Sequence, residues 1–222
     1  MQAEERLLVE AQAAHVFMVS EEMEPLKDVE LAALIDSEQV PVELVEDPAN
    51  NCLVGDVTAL NGASLFTGHR KPQIWSDTTD DVQEGDRETL EAKGYKVLSV
   101  GKYEKFAKLL LKEDVNAYKK VLGDPLEIEL LTNPATVKPG DEIVCRILWQ
   151  GKPFKTEVSA SFDGFSQEDD VYAVQTESTE DGIAKFKVEH PGLWFIRVGN
   201  TDENVDDADK WVVRATYTFE IR

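Results

Sequence analysis

The second half of the chain alternates apolar and polar residues in short runs that end at glycine, proline, asparagine or aspartate. This period of two is typical of half-buried β-strands, because successive side chains of a strand point to opposite faces of the sheet. The predicted strands cover residues 126–130, 143–149, 158–162, 172–176, 184–188, 193–198 and 213–221. Seven strands in about a hundred residues, separated by turn signals, predict an immunoglobulin-like β-sandwich.

The first half has weaker strand signals, between loops rich in asparagine, aspartate, glycine and proline. Plausible strands are residues 16–19, 29–35, 40–45, 53–60 and 96–100. Residues 103–112 fit a helix or a strand equally well, because their apolar residues recur at helical spacing while 109–111 form a continuous apolar run. A second β-sandwich is the simplest interpretation of this half.

The chain is therefore predicted to be all-β, with two β-sandwich domains. Residues 114–124 carry no clear period and end in Gly123-Asp124-Pro125, which indicates a domain boundary. We expect an N-terminal extension or leader remnant over 1–14, an N-terminal β domain over 15–122 and an immunoglobulin-like domain over 123–222. The small residues at 11–14 look like the end of a signal peptide, although glutamates stand where its basic and apolar regions belong.

Composition restricts the partners of the chain. Its 222 residues carry 23 Lys and Arg against 44 Asp and Glu, a formal net charge of -21, which excludes nucleic acid and anionic membranes as partners. No stretch reaches the ~20 apolar residues of a membrane helix, so the chain as given is expected to be soluble. Cys145 lies in an apolar run and is expected to be a buried free thiol, with a long-range disulfide to Cys52 as the alternative.

Motifs that carry catalysis are missing from the sequence. There is no GxSxG elbow, glycine-rich phosphate loop or HExxH, so we predict a protein that is not an enzyme and holds no organic cofactor. A carboxylate pair for glycoside hydrolysis is the minor alternative, since its geometry cannot be read from sequence spacing. Two acidic clusters, at 77–86 and 202–209, lack the spacing of an EF-hand and are interpreted as solvated loops.

The three histidines are the candidate metal ligands, because imidazole binds nickel, cobalt, copper and zinc. His190 precedes Pro191-Gly192 in a predicted turn and is interpreted as structural. His15 precedes the apolar run 16–19, and His69 follows Gly68 in a predicted loop. Taken alone, each of these two is expected to be a surface histidine.

A longer pattern changes this interpretation. The segment LLLKEDVNAYKKVLGDPLEIELLTNPATVKPGDEIVCRILWQGKPFKTEV, followed by TEDGIAKFKVEHPGLWFIRV and WVVRATYTFEIR, covers the second domain. It resembles the NikM-like family of exported bacterial proteins, the periplasmic components of nickel and cobalt uptake systems. The order of the turns PGDE, GKPF and EDG behind PLEIELLTNP carries the resemblance.

The resemblance implies roles for two histidines. Family members open with a histidine before an apolar run, as in AHVFMV at 14–19, and carry another after a glycine, as in TGHRKPQIW at 67–75, so His15 and His69 are the implied metal ligands. Some nickel-linked members have a further His-Pro pair where this chain has DSEQ at 36–39, so Asp36, Glu38 or Met18 would have to complete a site.

The function implied by the resemblance is that of a periplasmic accessory protein. It would capture a nickel or cobalt ion, or present it to membrane metal transporter components. The alternative is a structural or interaction module whose immunoglobulin-like domain binds a partner protein or a polysaccharide without metal.

Overall fold

The computed structural model describes residues 6–60, 62–111 and 116–222. Within these ranges, the first half contains the strands β1 (Leu8–Ala11), β2 (Val29–Ile35), β3 (Glu38–Val42), β4 (Leu44–Asp47), β5 (Cys52–Asp56), β6 (Leu65–Thr78), β7 (Val82–Glu84) and β8 (Val97–Leu110). It also contains the helix α1 (Arg87–Ala92) and a 3-10 turn at Leu26–Asp28.

Residues 116–222 begin with a 3-10 turn at Ala117–Lys119, and a second 3-10 turn lies at Pro134–Thr136. Their strands are β9 (Leu126–Leu130), β10 (Glu142–Trp149), β11 (Lys152–Pro153), β12 (Glu157–Phe162), β13 (Val174–Glu177), β14 (Ile183–Lys187), β15 (Gly192–Asp202) and β16 (Lys210–Ile221). The prediction of an all-β sandwich fold is confirmed.

One nine-stranded sheet, here called the central sheet, contains strands from both halves of the chain. Its order is β13-β12-β15-β16-β8-β6-β2-β3, with β7 added beside β6. The halves meet where β8 pairs with β16, and this pairing is parallel although the other pairings of the sheet are antiparallel. The sheet thus crosses the boundary predicted at residue 123.

Each face of the central sheet packs against a smaller sheet. On the front face, the β9, β10, β11 and β14 sheet encloses the larger core, which buries Phe106, Ile143 and Tyr217. On the back face, the sheet of β1, β5 and β4 encloses a second core around Leu31, Leu53 and Phe66. Strands β2, β6 and β8 contribute side chains to both cores, because neighbouring side chains of a strand point to opposite faces.

A β-bulge interrupts β6 in the middle of the central sheet. Between Arg70 and Gln73, the residues Lys71 and Pro72 oppose the single residue Glu104 of β8. Proline donates no backbone hydrogen bond, and a bulge is a position at which an inner strand tolerates it. The bulge lies directly beside His69, the candidate ligand of the first half.

Several local expectations need correction or refinement. The strand predicted at 16–19 is wrong, because a turn forms there in which Val19 N donates to Val16 O over 3.1 Å. The apolar character of this segment is explained by Phe17, whose ring stacks on Phe195 at a centroid distance of 4.2 Å. The open choice at 103–112 is decided for a strand over 103–110, with residue 112 outside the described ranges.

Two further findings concern the cysteines and the membrane. Cys52 and Cys145 are both buried free thiols, which confirms the expectation for Cys145. In the part of the chain that the structure describes, the helices lack the length and apolar character needed to cross a membrane.

Candidate functional site

His69 lies in strand β6, so its expected position in a loop is wrong. The run after it contains Lys71 and Pro72, which reads as a loop in sequence but forms the bulge. The strand register places His69 opposite Glu30 on β2 and opposite Phe106 on β8. Its ring stacks on that of Phe106, with 4.8 Å between centroids and 3° between planes. Two neighbouring strands therefore fix the imidazole on the front face.

A buried carboxylate orients the His69 ring. Glu104, which is 8% exposed, precedes Phe106 by two residues and so shares its face. His69 Nε2 lies 2.7 Å from Glu104 Oε1, while the Trp211 indole donates to Glu104 Oε2 over 3.1 Å. A carboxylate accepts hydrogen bonds, so Nε2 is the protonated nitrogen in this arrangement, and Nδ1 carries the lone pair whenever the ring is neutral.

A second carboxylate stands beside the other ring nitrogen. Glu30 Oε2 lies 3.7 Å from His69 Nδ1, which is too long for a hydrogen bond. The other oxygen, Glu30 Oε1, pairs with Lys71 Nζ at 2.9 Å, and this hydrogen bond lowers the pKa of Glu30. Lys71, which forms this ion pair with Glu30, is one of the two bulge residues. His69 Nδ1 and Glu30 Oε2 thus lie side by side without a hydrogen bond between them, and both atoms are of a type that binds metal ions.

His69 and Glu30 line a groove of about 630 Å³ at the edge of the central sheet. Strand β3 pairs with residues 31–35 of β2, so in the described structure its ladder stops short of Glu30. The walls include the apolar side chains of Leu26, Pro41 and Leu122, and Asp124 adds another carboxyl group. Burial raises the pKa of Asp124. The walls of the groove therefore combine apolar side chains with polar ones, and Glu30 stands beside the imidazole.

His15 forms a separate imidazole–carboxylate pair. Its Nδ1 lies 2.6 Å from Glu21 Oε2, and its backbone N–H donates to Glu21 Oε1 over 2.8 Å. These hydrogen bonds lower the pKa of Glu21. The bridge between Ala13 and Glu22 closes the loop that carries them. Since Phe17 of this loop stacks on Phe195, the loop is anchored to β15, whereas His69 contacts β2 and β8.

The two histidines have different partners, and the structure does not join them in one cluster. Among residues 6–60, 62–111 and 116–222, no group of three or more His, Cys, Asp and Glu has an arrangement that could hold a metal ion. At the far end of β2 from Glu30, Asp36 lies in the turn and Glu38 begins β3, while Met18 lies in the turn after His15.

Sequence reasoning missed Glu30 and Glu104, the two carboxylates nearest His69. Each occupies a strand position whose partner is set by register across the sheet, and Glu104 is 35 residues from His69 in sequence. Neither carboxylate stands out in the sequence, because Glu104 lies between Tyr103 and Lys105 and Glu30 between Val29 and Leu31, positions typical of the polar face of a strand.

The remaining polar candidates have structural contacts. His190 is exposed and stacks on Phe162, with 4.5 Å between ring centroids, in accordance with its structural interpretation. From the first acidic cluster, Asp86 caps α1 by accepting from Thr89 N at 2.7 Å. From the second, Asp209 accepts from Val100 N at 2.8 Å.

Comparison with known protein families gives a match over residues 1–202 to a family described as Domain of unknown function (DUF4198). The chain belongs to the DUF4198 family. Among curated proteins, a search finds no match to this DUF4198 chain.

Proposed function

We propose that this DUF4198 protein is a periplasmic accessory protein that captures a divalent transition metal, nickel or cobalt, and presents it to membrane transporter components. The capturing group is the Nδ1 atom of His69. The observation that carries the proposal is the hydrogen bond between His69 Nε2 and the buried Glu104, which leaves Nδ1 beside Glu30 in an open groove.

The chemistry of metal-binding histidines supports this assignment. A ligating histidine almost always donates its other ring N–H to a carboxylate, a backbone carbonyl or water, which fixes the tautomer and raises the basicity of the ligating nitrogen. Glu104 is in position to accept the hydrogen bond from that N–H group. Glu30 supplies a neighbouring oxygen donor, and nickel and cobalt accept mixed nitrogen and oxygen ligands.

An open coordination shell suits a protein that hands its metal on. One imidazole and one carboxylate occupy a minority of the positions around a nickel or cobalt ion, so water or donors of a partner complete the shell. The groove gives such donors access to Nδ1. The formal net charge of -21 raises the local concentration of cations at the surface.

The resemblance of residues 109–222 to the NikM-like family supports the assignment to nickel or cobalt uptake and to the periplasm. His15, the other ligand implied by that resemblance, pairs with Glu21 on its own loop. We therefore do not include His15 in the proposed site, and its metal role stays a prediction of the resemblance.

Calorimetric titration of the tag-free protein with nickel and with cobalt tests the proposal. We expect saturable binding that H69A abolishes. E104Q should weaken binding by roughly 10- to 100-fold, the usual effect of losing the partner of a ligating histidine. The matched control is H190A, which removes an exposed histidine outside the groove and should leave the affinity unchanged. Absence of binding, or binding unaltered by H69A, would remove the site.

A second function is favoured by the edge of the central sheet. Strand β3 is the last strand on its side of the described sheet, and the groove beside it has apolar walls. An exposed sheet edge and an apolar groove suit a partner protein or a polysaccharide. This alternative predicts no heat on addition of nickel or cobalt, together with binding on a polysaccharide or peptide array that L26D abolishes.

A further inference from the structure

Three cations stand opposite one another on the back face of the central sheet. The register pairs Arg70 on β6 with Lys105 on β8, and Lys105 with Arg214 on β16. Side chains at directly opposed positions have Cβ atoms about 4.5–5.5 Å apart, and like charges there destabilise a sheet. Arg197 on β15 lies beside them, opposite Thr216. These four basic residues are here called the cation row.

One internal carboxylate neutralises the Arg70 end of the cation row. Glu24 Oε1 lies 3.4 Å from Arg70 Nε and 3.2 Å from Lys105 Nζ. The Arg70 side chain is 10% exposed, and its buried Nε has no hydrogen-bond partner in the described structure. Burial lowers the pKa of Lys105, and the charge of Arg70 lowers it further. Glu24 thus lies between a buried guanidinium and a half-exposed ammonium group.

The other end of the cation row has an unpaired cation. Arg197 pairs with Asp170 at 2.6 Å, but within the described ranges Arg214 has no carboxylate at ion-pair distance. The charge of Arg214 lowers the pKa of Arg197, after the larger effect of burial. Within the described ranges, two carboxylates, Glu24 and Asp170, lie at ion-pair distance from the four cations, and Asp28 and Glu22 act on Arg70 from farther away.

Space for a ligand adjoins Arg214. The residue directly opposite Arg214 on β15 is Gly199, so no side chain occupies that position. A Cβ atom placed there would meet only the Val213 carbonyl oxygen, at 3.7 Å. Next to Arg214, no side chain of the described residues therefore lies within 4 Å of this position.

We propose that the Arg214 end of the cation row binds a small oxyanion with at least two negative charges, either a phosphate or an organic polycarboxylate. The planar guanidinium of Arg214 matches two oxygens of such a group, and Arg197 lies close enough to add charge. Glu24 occupies the Arg70 end as the chain's own carboxylate. The Nδ1 groove of His69 lies on the opposite face, so this site is independent of metal capture.

Thermal unfolding and calorimetry of the metal-free protein, with inorganic phosphate, citrate or chloride at matched ionic strength, test the proposal. We expect a saturable rise in melting temperature with phosphate or citrate and none with chloride. A response to phosphate alone assigns a phosphate ligand, and a response to citrate alone assigns a polycarboxylate. No saturable response to either anion overturns the proposal.

Variants assign the response to the cation row. R214Q should weaken anion binding by about tenfold or more, since a hydrogen bond to a charged group contributes about 1.5–3 kcal/mol. The control K185Q removes an exposed lysine of β14, in the other layer, and should bind anions like the wild type. Equal binding by R214Q and K185Q would contradict the assignment.

Two further readouts separate a ligand site from a structural role. Without anion, R214Q should be at least as stable as the wild type, because the substitution removes repulsion within the cation row. E24Q should tighten anion binding, because it removes the competing carboxylate. A large loss of stability in R214Q, or weaker binding by E24Q, would indicate that Arg214 acts in folding instead.

Discussion

Replacing Lys108 by methionine should strongly destabilise the protein. Lys108 Nζ lies 2.7 Å from Glu127 Oε1, and the two side chains are 5% and 1% exposed. The substitution keeps the volume but leaves the Glu127 carboxylate buried without its cation. Breaking a buried ion pair in this way costs about 3–5 kcal/mol.

The remaining contacts of Glu127 support a figure within that range. Its carboxylate accepts from Leu122 N at 2.7 Å and from Gly123 N at 2.8 Å, which hold the segment between β8 and β9. These two hydrogen bonds persist in K108M and partly stabilise the unpaired Glu127 carboxylate, so complete unfolding is not expected. At about 2–4 °C per kcal/mol for a chain of this size, the melting temperature should fall by about 6–20 °C.

Thermal and urea denaturation, followed by circular dichroism, measure this loss. The matched control is K102M, which breaks the more exposed pair between Lys102 Nζ and Asp207 Oδ2 at 2.9 Å. Exposed pairs contribute about 0–1 kcal/mol, so K102M should change the melting temperature little. If K108M is no less stable than K102M, the buried pair does not stabilise the fold.

Three other predictions concern single residues. Burial raises the pKa of Asp124, so the folded state holds its proton at pH values where the unfolded state has lost it, and stability falls as pH rises through that window. D124N should therefore be more stable than the wild type at pH 7 by urea denaturation, and the difference should vanish below about pH 4; a constant difference contradicts this. In G182A the added methyl group would overlap the Ile147 carbonyl oxygen, so the variant should lose several kcal/mol of unfolding free energy. The control G94A, which has open space at its Cβ position, should lose about 1–2 kcal/mol, and equal losses of stability in the two variants would contradict this. Burial raises the pKa of Cys145 to about 12, so a thiol reagent at pH 8 should modify it only in denaturant.

The strands of the second half could be predicted because their pattern is local. Each pairs antiparallel with at least one neighbour and turns one face to the larger core, and polar residues mark the other face, as in Ile183–Lys187. The pairing of β8 with β16 had no such signal. It is parallel and joins residues about a hundred positions apart, and neither strand specifies its partner by periodicity.

The candidate site was predicted only in part for the same reason. His69 could be singled out as a rare ligand type, but its strand was hidden by Pro72, which sequence rules exclude from an inner strand unless a bulge is present. Glu30 and Glu104 flank His69 only because two strand registers align them. The interpretation of 16–19 as a strand failed because the apolar side chain of Phe17 packs from a turn.

The central claim is that His69 Nδ1 captures nickel or cobalt. The sequence has three histidines, so their ring signals can be assigned by NMR with the variants H15A, H69A and H190A. Titration with paramagnetic cobalt should broaden the His69 signals at the lowest metal concentrations, and E104Q should shift this broadening to higher concentrations. His69 signals that stay sharp while those of His15 or His190 broaden would contradict the claim.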